Sequence, residues 1–282
     1  MLLLVNHKKL EMVLFSKLRK LTKENEMKKN IKKIIKILII LIFGKTGVPI
    51  KVGTNYRLMF HPRYFRWFTT SYETDHLDYL KKMTASDGVA IDIGAHFGLY
   101  SLILAKYFKK HVIAFEPTPY SAEIFRKNIE FNKLSNLIEL REAAVGRELG
   151  TASFLIQQTE GAVSNSLVDY WHSDERKNKI KVDVVSIDET VPGKINFIKI
   201  DAEGNELDVL LGAQSAIEKN RPWILLALHP SAIEQKGDKL ETIWNYFAEK
   251  QYQIIFNSQP MTKDIFVNRS DLFDVILDPT IN

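Results

Sequence analysis

Apolar positions along this chain fall into two rhythms. Short, nearly continuous runs at Val89–Ile93, Val112–Phe115, Leu137–Leu140, Ile195–Ile200 and Pro222–Pro230 have the length and density of parallel strands buried on both faces. Between and after them lie stretches with apolar residues three and four apart. Leu99–Phe108, Pro119–Phe131, Glu206–Ala216 and Lys239–Lys250 therefore read as helices packed on a sheet, with Leu207, Leu210 and Leu211 forming one such stripe. Pro119 falls near a first turn, where its missing N–H is harmless. Tyr252–Phe256 and Leu272–Leu277 read as the last two strands. Strand and helix in alternation predict an α/β fold.

Three stretches break the rhythm. Residues 50–87 form a lead-in, with a hairpin at Ile50–Leu58 turning at Gly53–Asn55 and a helix from Tyr72 to Met83. Its aromatic, basic segment His61–Phe68 either lines a substrate mouth or is core with snorkelling arginines. Residues 150–188 interrupt the α/β order. Thr151–Ile156 and Val182–Ile187 alternate as strands, and the polar segment between them is placed either to form a lid or acceptor wall or to run over the surface. The third stretch is N-terminal. Residues 7–33 are rich in lysine, with Leu10, Val13, Leu14, Leu18 and Leu21 near helical spacing, and Ile34–Phe43 is a dense apolar run. That run is about half of what a bilayer span needs, and Lys36 interrupts it. It starts too late, and lacks too clear a cleavage site, for a signal peptide. The expected divisions are a basic helical extension at 1–49, the lead-in at 50–87 and the main α/β unit at 88–282.

Charge sharpens the view of the extension. The whole chain is net +5, yet residues 1–51 hold 13 Lys/Arg against 3 Asp/Glu, so the remainder is net negative. Either the extension lies in a membrane interface with its lysines on anionic headgroups, or its apolar face covers the α/β unit. No nucleic-acid partner is expected, because no binding motif or interleaved aromatic series accompanies the lysines. The absence of cysteine excludes disulfides and thiolate chemistry and permits a cytoplasmic setting, with contact at the inner membrane face left open.

Candidate chemistry centres on residues 88–118. A strand runs into Asp92, a turn carries Gly94 and Gly98, a helix follows, and a second strand ends at Glu116, 24 residues after Asp92. His96 stands where a dinucleotide fingerprint needs its second glycine, which counts against a nicotinamide or flavin cofactor and so against a dehydrogenase. Asp92 would repel a pyrophosphate but suits an ammonium group. S-adenosylmethionine (SAM) has an ammonium, a sulfonium and a ribose diol, and no phosphate. Asp201, at the mouth of the Ile195–Ile200 strand, is expected to meet Asp92 and Glu116 at one carboxyl edge.

Asp92-Ile-Gly-Ala-His-Phe-Gly-Leu-Tyr-Ser101, Phe115-Glu-Pro117 and Ile195-Asn-Phe-Ile-Lys-Ile-Asp-Ala-Glu-Gly204 resemble the FkbM family of SAM-dependent methyltransferases, over about residues 72–230. The resemblance implies a Rossmann-like class I methyltransferase fold, with a seven-stranded, mostly parallel sheet and helices on both faces. It implies that SAM is held by Asp92, Gly94, His96, Gly98, Tyr100 and Ser101 of the glycine turn, by Glu116 and Pro117, and by Asp201. It passes the adenine along the turn containing Ala144, and it sets Tyr72-Glu73 near the cofactor cleft. It also implies O-methylation, often of sugar or polyketide hydroxyls. The chain departs from the family at His96, usually Asn, and near Ala227, where a Glu is common.

A hydroxyl acceptor profits from a general base. His229 at the end of the fifth strand, Asp201, Glu203 and His96 are the candidates. Asp201 and Glu203 also have the oxygen donors that a hard cation takes, but two carboxylates do not make a metal site and none is assigned. The expected function is a SAM-dependent O-methyltransferase acting on a small-molecule or glycan hydroxyl. The competing reading is a non-catalytic SAM-binding or scaffolding module at a membrane surface.

Overall fold

The computed structural model describes residues 38–64, 74–157 and 177–280. An antiparallel hairpin, β1 (Val48–Val52) and β2 (Tyr56–Phe60), precedes α1 (Thr74–Met83). The α/β alternation then runs β3 (Val89–Ile93), α2 (Leu99–Phe108), β4 (Val112–Phe115), α3 (Pro119–Asn132) and β5 (Ile138–Arg141). β6 (Ala144–Val145), β7 (Gly150–Gln157) and β8 (Lys177–Val185) form a separate three-stranded sheet. After α4 (Ile187–Thr190) come β9 (Ile195–Ile200), α5 (Glu206–Leu211), α6 (Gln214–Asn220), β10 (Trp223–Leu228), α7 (Pro230–Lys236) and α8 (Leu240–Glu249). The chain closes with β11 (Gln253–Phe256), β12 (Gln259–Pro260), α9 (Lys263–Val267) and β13 (Phe273–Asp278).

The main sheet has the order β12-β11-β13-β10-β9-β3-β4-β5. Strands β5, β4, β3, β9 and β10 are parallel, whereas β13 runs against both β10 and β11. The seven expected strands are all present. The eighth, β12, is two residues reached through Asn257 and Ser258, both with positive φ as a tight hairpin turn requires. It ends in Pro260, which an edge strand tolerates. Strand order reverses between β3 and β9, so a crevice opens at their carboxyl ends.

Strand residues alternate between two cores. Ala90, Phe197, Trp223 and Leu225 face one with α2 and α3, while Ile91, Ile93, Ile198, Ile200 and Ile224 face the other with α5, α6 and α8. The hairpin shares the first core through Val52, Leu58 and Phe60. Two asparagines of α3 hold it there. Met59 N donates to Asn132 Oδ1 (3.0 Å) and His61 N to Asn128 Oδ1 (2.7 Å).

One helix differs from expectation. The pattern over Glu206–Ala216 predicts a single helix, but the structure has two, α5 and α6, broken at Gly212. A Cβ on Gly212 would stand 2.0 Å from Gly146 O, so the backbones meet here. The Gly212 carbonyl accepts from Asp188 N and Ser186 Oγ, and the Asp188 carboxylate caps the new helix start at Ser215 N and Ala216 N.

No described helix is long and apolar enough to cross a membrane. Residues 38–43 are helical, with Leu41 and Ile42 74% and 66% exposed. The lysine-rich stretch, Tyr72-Glu73 and the segment between β7 and β8, read as either a lid or acceptor wall or a surface excursion, lie outside the described residues.

Candidate active site

One cavity of about 480 Å³ opens at the carboxyl ends of β3, β4, β9 and β10. That volume is ordinary for a small-ligand site. Period-two alternation explains its lining. Asp92 has the parity of Ala90 and Lys199 that of Phe197, so both emerge on the α2 face, while Asp201 and His229 follow the last residues of β9 and β10 and line the cavity from the strand ends. Asp92, Glu116 and Asp201 converge there as expected, and Glu203 and His229 join them.

The glycine turn is built by contacts within the protein. Gly94 (φ +72) lies so close to β9 that a Cβ would meet Asp201 O at 2.0 Å. Gly98 (φ +85) faces the Phe125 ring, which a Cβ would strike at 1.9 Å, and does not line the cavity. Both glycines are required by the approach of protein to protein. Ser101 also lies away from the lining. Its backbone N (3.1 Å) and Oγ (2.6 Å) both donate to Asp92 Oδ2, fixing the carboxylate. Gly94, His96 (φ +49), Tyr100, Pro117 and Ala144 are lining residues.

Glu116 clamps the same turn. Its Oε2 accepts from His96 N and its Oε1 from Thr118 N, each at 2.8 Å. The Thr118 side chain adds a third hydrogen bond, and a carboxylate with about four acceptor positions keeps room for one further donor. Burial pushes the Glu116 carboxyl up, against the bonds from Thr118 and His96. Asp92, 1% exposed, is likewise pushed up by burial, against the Lys199 charge and the Ser101 bonds. Asp92 Oδ1 accepts no hydrogen bond, and Lys199 Nζ stands 3.9 Å from it.

Lys199 is a site residue that sequence reasoning did not single out. Its Nζ donates to Asp201 Oδ2 (3.2 Å) and Gly94 O (3.4 Å) and lies 5.6 Å from the Tyr100 ring centre. Burial works to raise the Asp201 carboxyl, yet Lys199 and then His229 hold it below the usual range. Glu206 was missed too. It is fully buried at the start of α5, and its Oε1 accepts from Gly204 N (3.0 Å) and pairs with His229 Nδ1 (2.8 Å). Burial alone would lower the His229 pKa, but the Glu206 bond and charge, with Glu203 and Asp201, raise it to about 9. The surrounding carboxylates thus favour the charged ring, which sets it apart from the ready proton acceptor that its ordinary pKa suggested. His96 lines the cavity from the turn, against Phe97.

The family model described as "Methyltransferase FkbM domain" matches residues 92–254, more than half of the chain. This chain belongs to the FkbM methyltransferase family. The methyl donor of that family is SAM. "Methyltransferase 1" of Beauveria bassiana is 26% identical over 151 residues, 45% of this chain and 58% of that protein, so the match spans little more than half of that relative. "Hexuronic acid methyltransferase AglP" of Haloferax volcanii is 26% identical over 172 residues, 60% of this chain and 67% of that one. Among solved structures, an FkbM methyltransferase from Methylobacillus flagellatus is 20% identical with a TM-score of 0.45, covering 67% of this chain and 43% of its own.

The FkbM match spans every site residue named above, from Asp92 to His229. The carboxylate missing at Ala227 has a neighbour in its place. Asp274 of β13 pairs in register with Ala227 and lines the cavity, with His76 Nδ1 3.4 Å from its Oδ2. Its position across an antiparallel pair, 47 residues on, hides it from any local motif.

Proposed function

We propose that this chain is an O-methyltransferase that moves the SAM methyl group to a hydroxyl of a small molecule or glycan, with a sugar as the preferred acceptor. The observation that carries this reading is the meeting of Asp92, Glu116 and Asp201 on one cavity from three separate strand ends. In this reading Glu116 takes a ribose hydroxyl on its remaining acceptor position, and the small residues Ala143-Ala144 let the adenine approach the backbone. Asp92 and Lys199 face the amino and carboxylate ends of the methionine moiety. The acceptor hydroxyl lies at the rim formed by Asp201, Glu203 and His229. The carbon–oxygen bond forms as the carbon–sulfur bond breaks, and the acceptor proton leaves toward that rim. The donor is already activated, so the chain contributes alignment and exclusion of water. The name of the Haloferax relative supports an acidic sugar as acceptor. We further propose that the protein works in the cytoplasm with residues 1–45 against an anionic membrane surface.

Calorimetry with SAM on the wild type and Glu116→Gln tests the cofactor site. The amide keeps one carbonyl oxygen for a backbone N–H, and its lost charge should weaken SAM by about tenfold or more. Transfer of labelled methyl groups from SAM into sugar-rich extracts then tests the reaction. Absent SAM binding, or equal affinity in both proteins, overturns the site; binding with no transfer to any acceptor leaves the non-catalytic module.

A further inference from the structure

We infer that Asp201, Glu203 and His229 form a binding site for one divalent first-row metal ion, with Glu206 orienting the histidine from behind. The inference deepens the function proposed above and rests on it only for what the ion does.

One donor atom from each of the three lies within 4.8 Å of the other two. His229 Nε2 stands 3.4 Å from Glu203 Oε2 and 3.8 Å from Asp201 Oδ1. A cation with ligand bonds of about 2.0–2.2 Å holds neighbouring donors roughly 3.0–3.4 Å apart. Side-chain rotation at a partly open rim closes the remaining gap.

The second observation is His229 itself. Only 6% exposed, it is fixed through Nδ1 by the 2.8 Å contact to fully buried Glu206. That contact keeps a proton at Nδ1 and aims Nε2 between the two carboxylates, to neither of which it makes a hydrogen bond; a divalent cation seated there takes the place of the Nε2 proton, which is released to solvent. A buried carboxylate behind a histidine whose far nitrogen faces oxygen donors is how metal-binding histidines are oriented. Glu206 Oε2 is buried without a hydrogen-bond partner, so the carboxylate is committed to the histidine and Gly204 on its other oxygen.

One imidazole with two carboxylates favours Mn²⁺, Fe²⁺ or Zn²⁺ over Ca²⁺, which prefers oxygen throughout. An ion here binds the acceptor hydroxyl as a Lewis acid and eases loss of its proton. An acceptor with a second oxygen beside the reacting hydroxyl, a vicinal diol or 2-hydroxy acid, would chelate it.

Mn²⁺ titration of the metal-free full chain, followed by electron paramagnetic resonance, tests the site beside calorimetry with SAM on the same samples. One saturable site is expected. Glu203→Gln and His229→Gln should each weaken it at least tenfold, and Glu206→Gln by about 10–100-fold. Asp238→Asn, two residues past the end of α7, should leave it unchanged. Circular dichroism checks each fold, and Glu203, on the rim, is the substitution that least threatens it. No saturable site in the wild type, or equal affinity in folded Glu203→Gln, overturns the inference. SAM binding without Mn²⁺ binding removes the metal site alone, whereas Mn²⁺ binding without SAM binding removes the cofactor reading alone.

Discussion

Lys199 is the only charged side chain in β9, a strand whose six residues are all buried. Parallel register places Asp92 directly beside it on β3, and Asp201 lies two residues along on the same face. The lysine therefore offsets part of the charge of two carboxylates that burial would otherwise penalise. Replacing it by a methionine of similar length should destabilise the protein by roughly 3 kcal/mol, the partial exposure of Asp201 keeping the loss at the low end for a broken buried pair. Urea denaturation measures this, and adding Asp92→Asn to Lys199→Met should recover part of the loss. Unchanged stability in Lys199→Met would mean that the pairing is incidental. The sequence does carry a signal here, because a lone lysine inside a doubly buried strand must find counter-charge. The identity of that partner is not local, and neither is the pairing of Glu206 with His229, 23 residues apart.

At the scale of elements, the buried parallel strands were legible because an all-apolar run suits few other places in a fold. The break between α5 and α6 was not, because its cause is Gly146, far back in the chain, pressed against Gly212. Gly212 has an ordinary helical φ of −77°, so nothing in the local backbone demands glycine. Gly212→Ala should therefore lose about 1–3 kcal/mol through overpacking alone. Gly150→Ala, with nothing within 4 Å of the added carbon, should stay within about 0.5 kcal/mol of the wild type in the same urea series. The docking of the hairpin makes a separate prediction. His61 lies buried where the hairpin meets α3, and burial, then Lys127 and Arg63, push its pKa from 6.5 down to about 4. Between those values the unfolded chain takes up a proton that the folded one refuses. The His61 contribution is thus complete above about pH 6.5 and lost as pH falls toward about 4. Urea midpoints of wild type and His61→Asn should differ most above pH 6.5 and converge toward pH 4. A difference constant with pH would sink this account.

For the whole molecule, the order of strands is what turns scattered acids into a site. The reversal between β3 and β9 lets Asp92 and Asp201, more than a hundred residues apart, stand on either side of Lys199 at the ends of adjacent strands. That convergence could be anticipated from strand ends and parity, while Asp274 entered only through an antiparallel strand whose register no local pattern announces. The same scale contains the strongest charge asymmetry of the chain. The basic surplus sits before residue 52, and the rest is net negative, so attraction to an anionic surface would also orient the protein. The helical end at 38–43 presents Leu41 and Ile42 outward, and burying each in a membrane interface is worth about 1.5–3 kcal/mol. Each nearby lysine adds about 1 kcal/mol on an anionic leaflet, an effect that salt screens within a Debye length. The full chain should therefore sediment with vesicles rich in anionic lipid at low salt and be released by high salt. The double substitution Leu41→Glu, Ile42→Glu should weaken that sedimentation by at least tenfold while leaving SAM affinity unchanged. Equal sedimentation with neutral and anionic vesicles would remove the lysines as the cause, and none with either would instead assign the apolar face of the extension to covering the α/β unit.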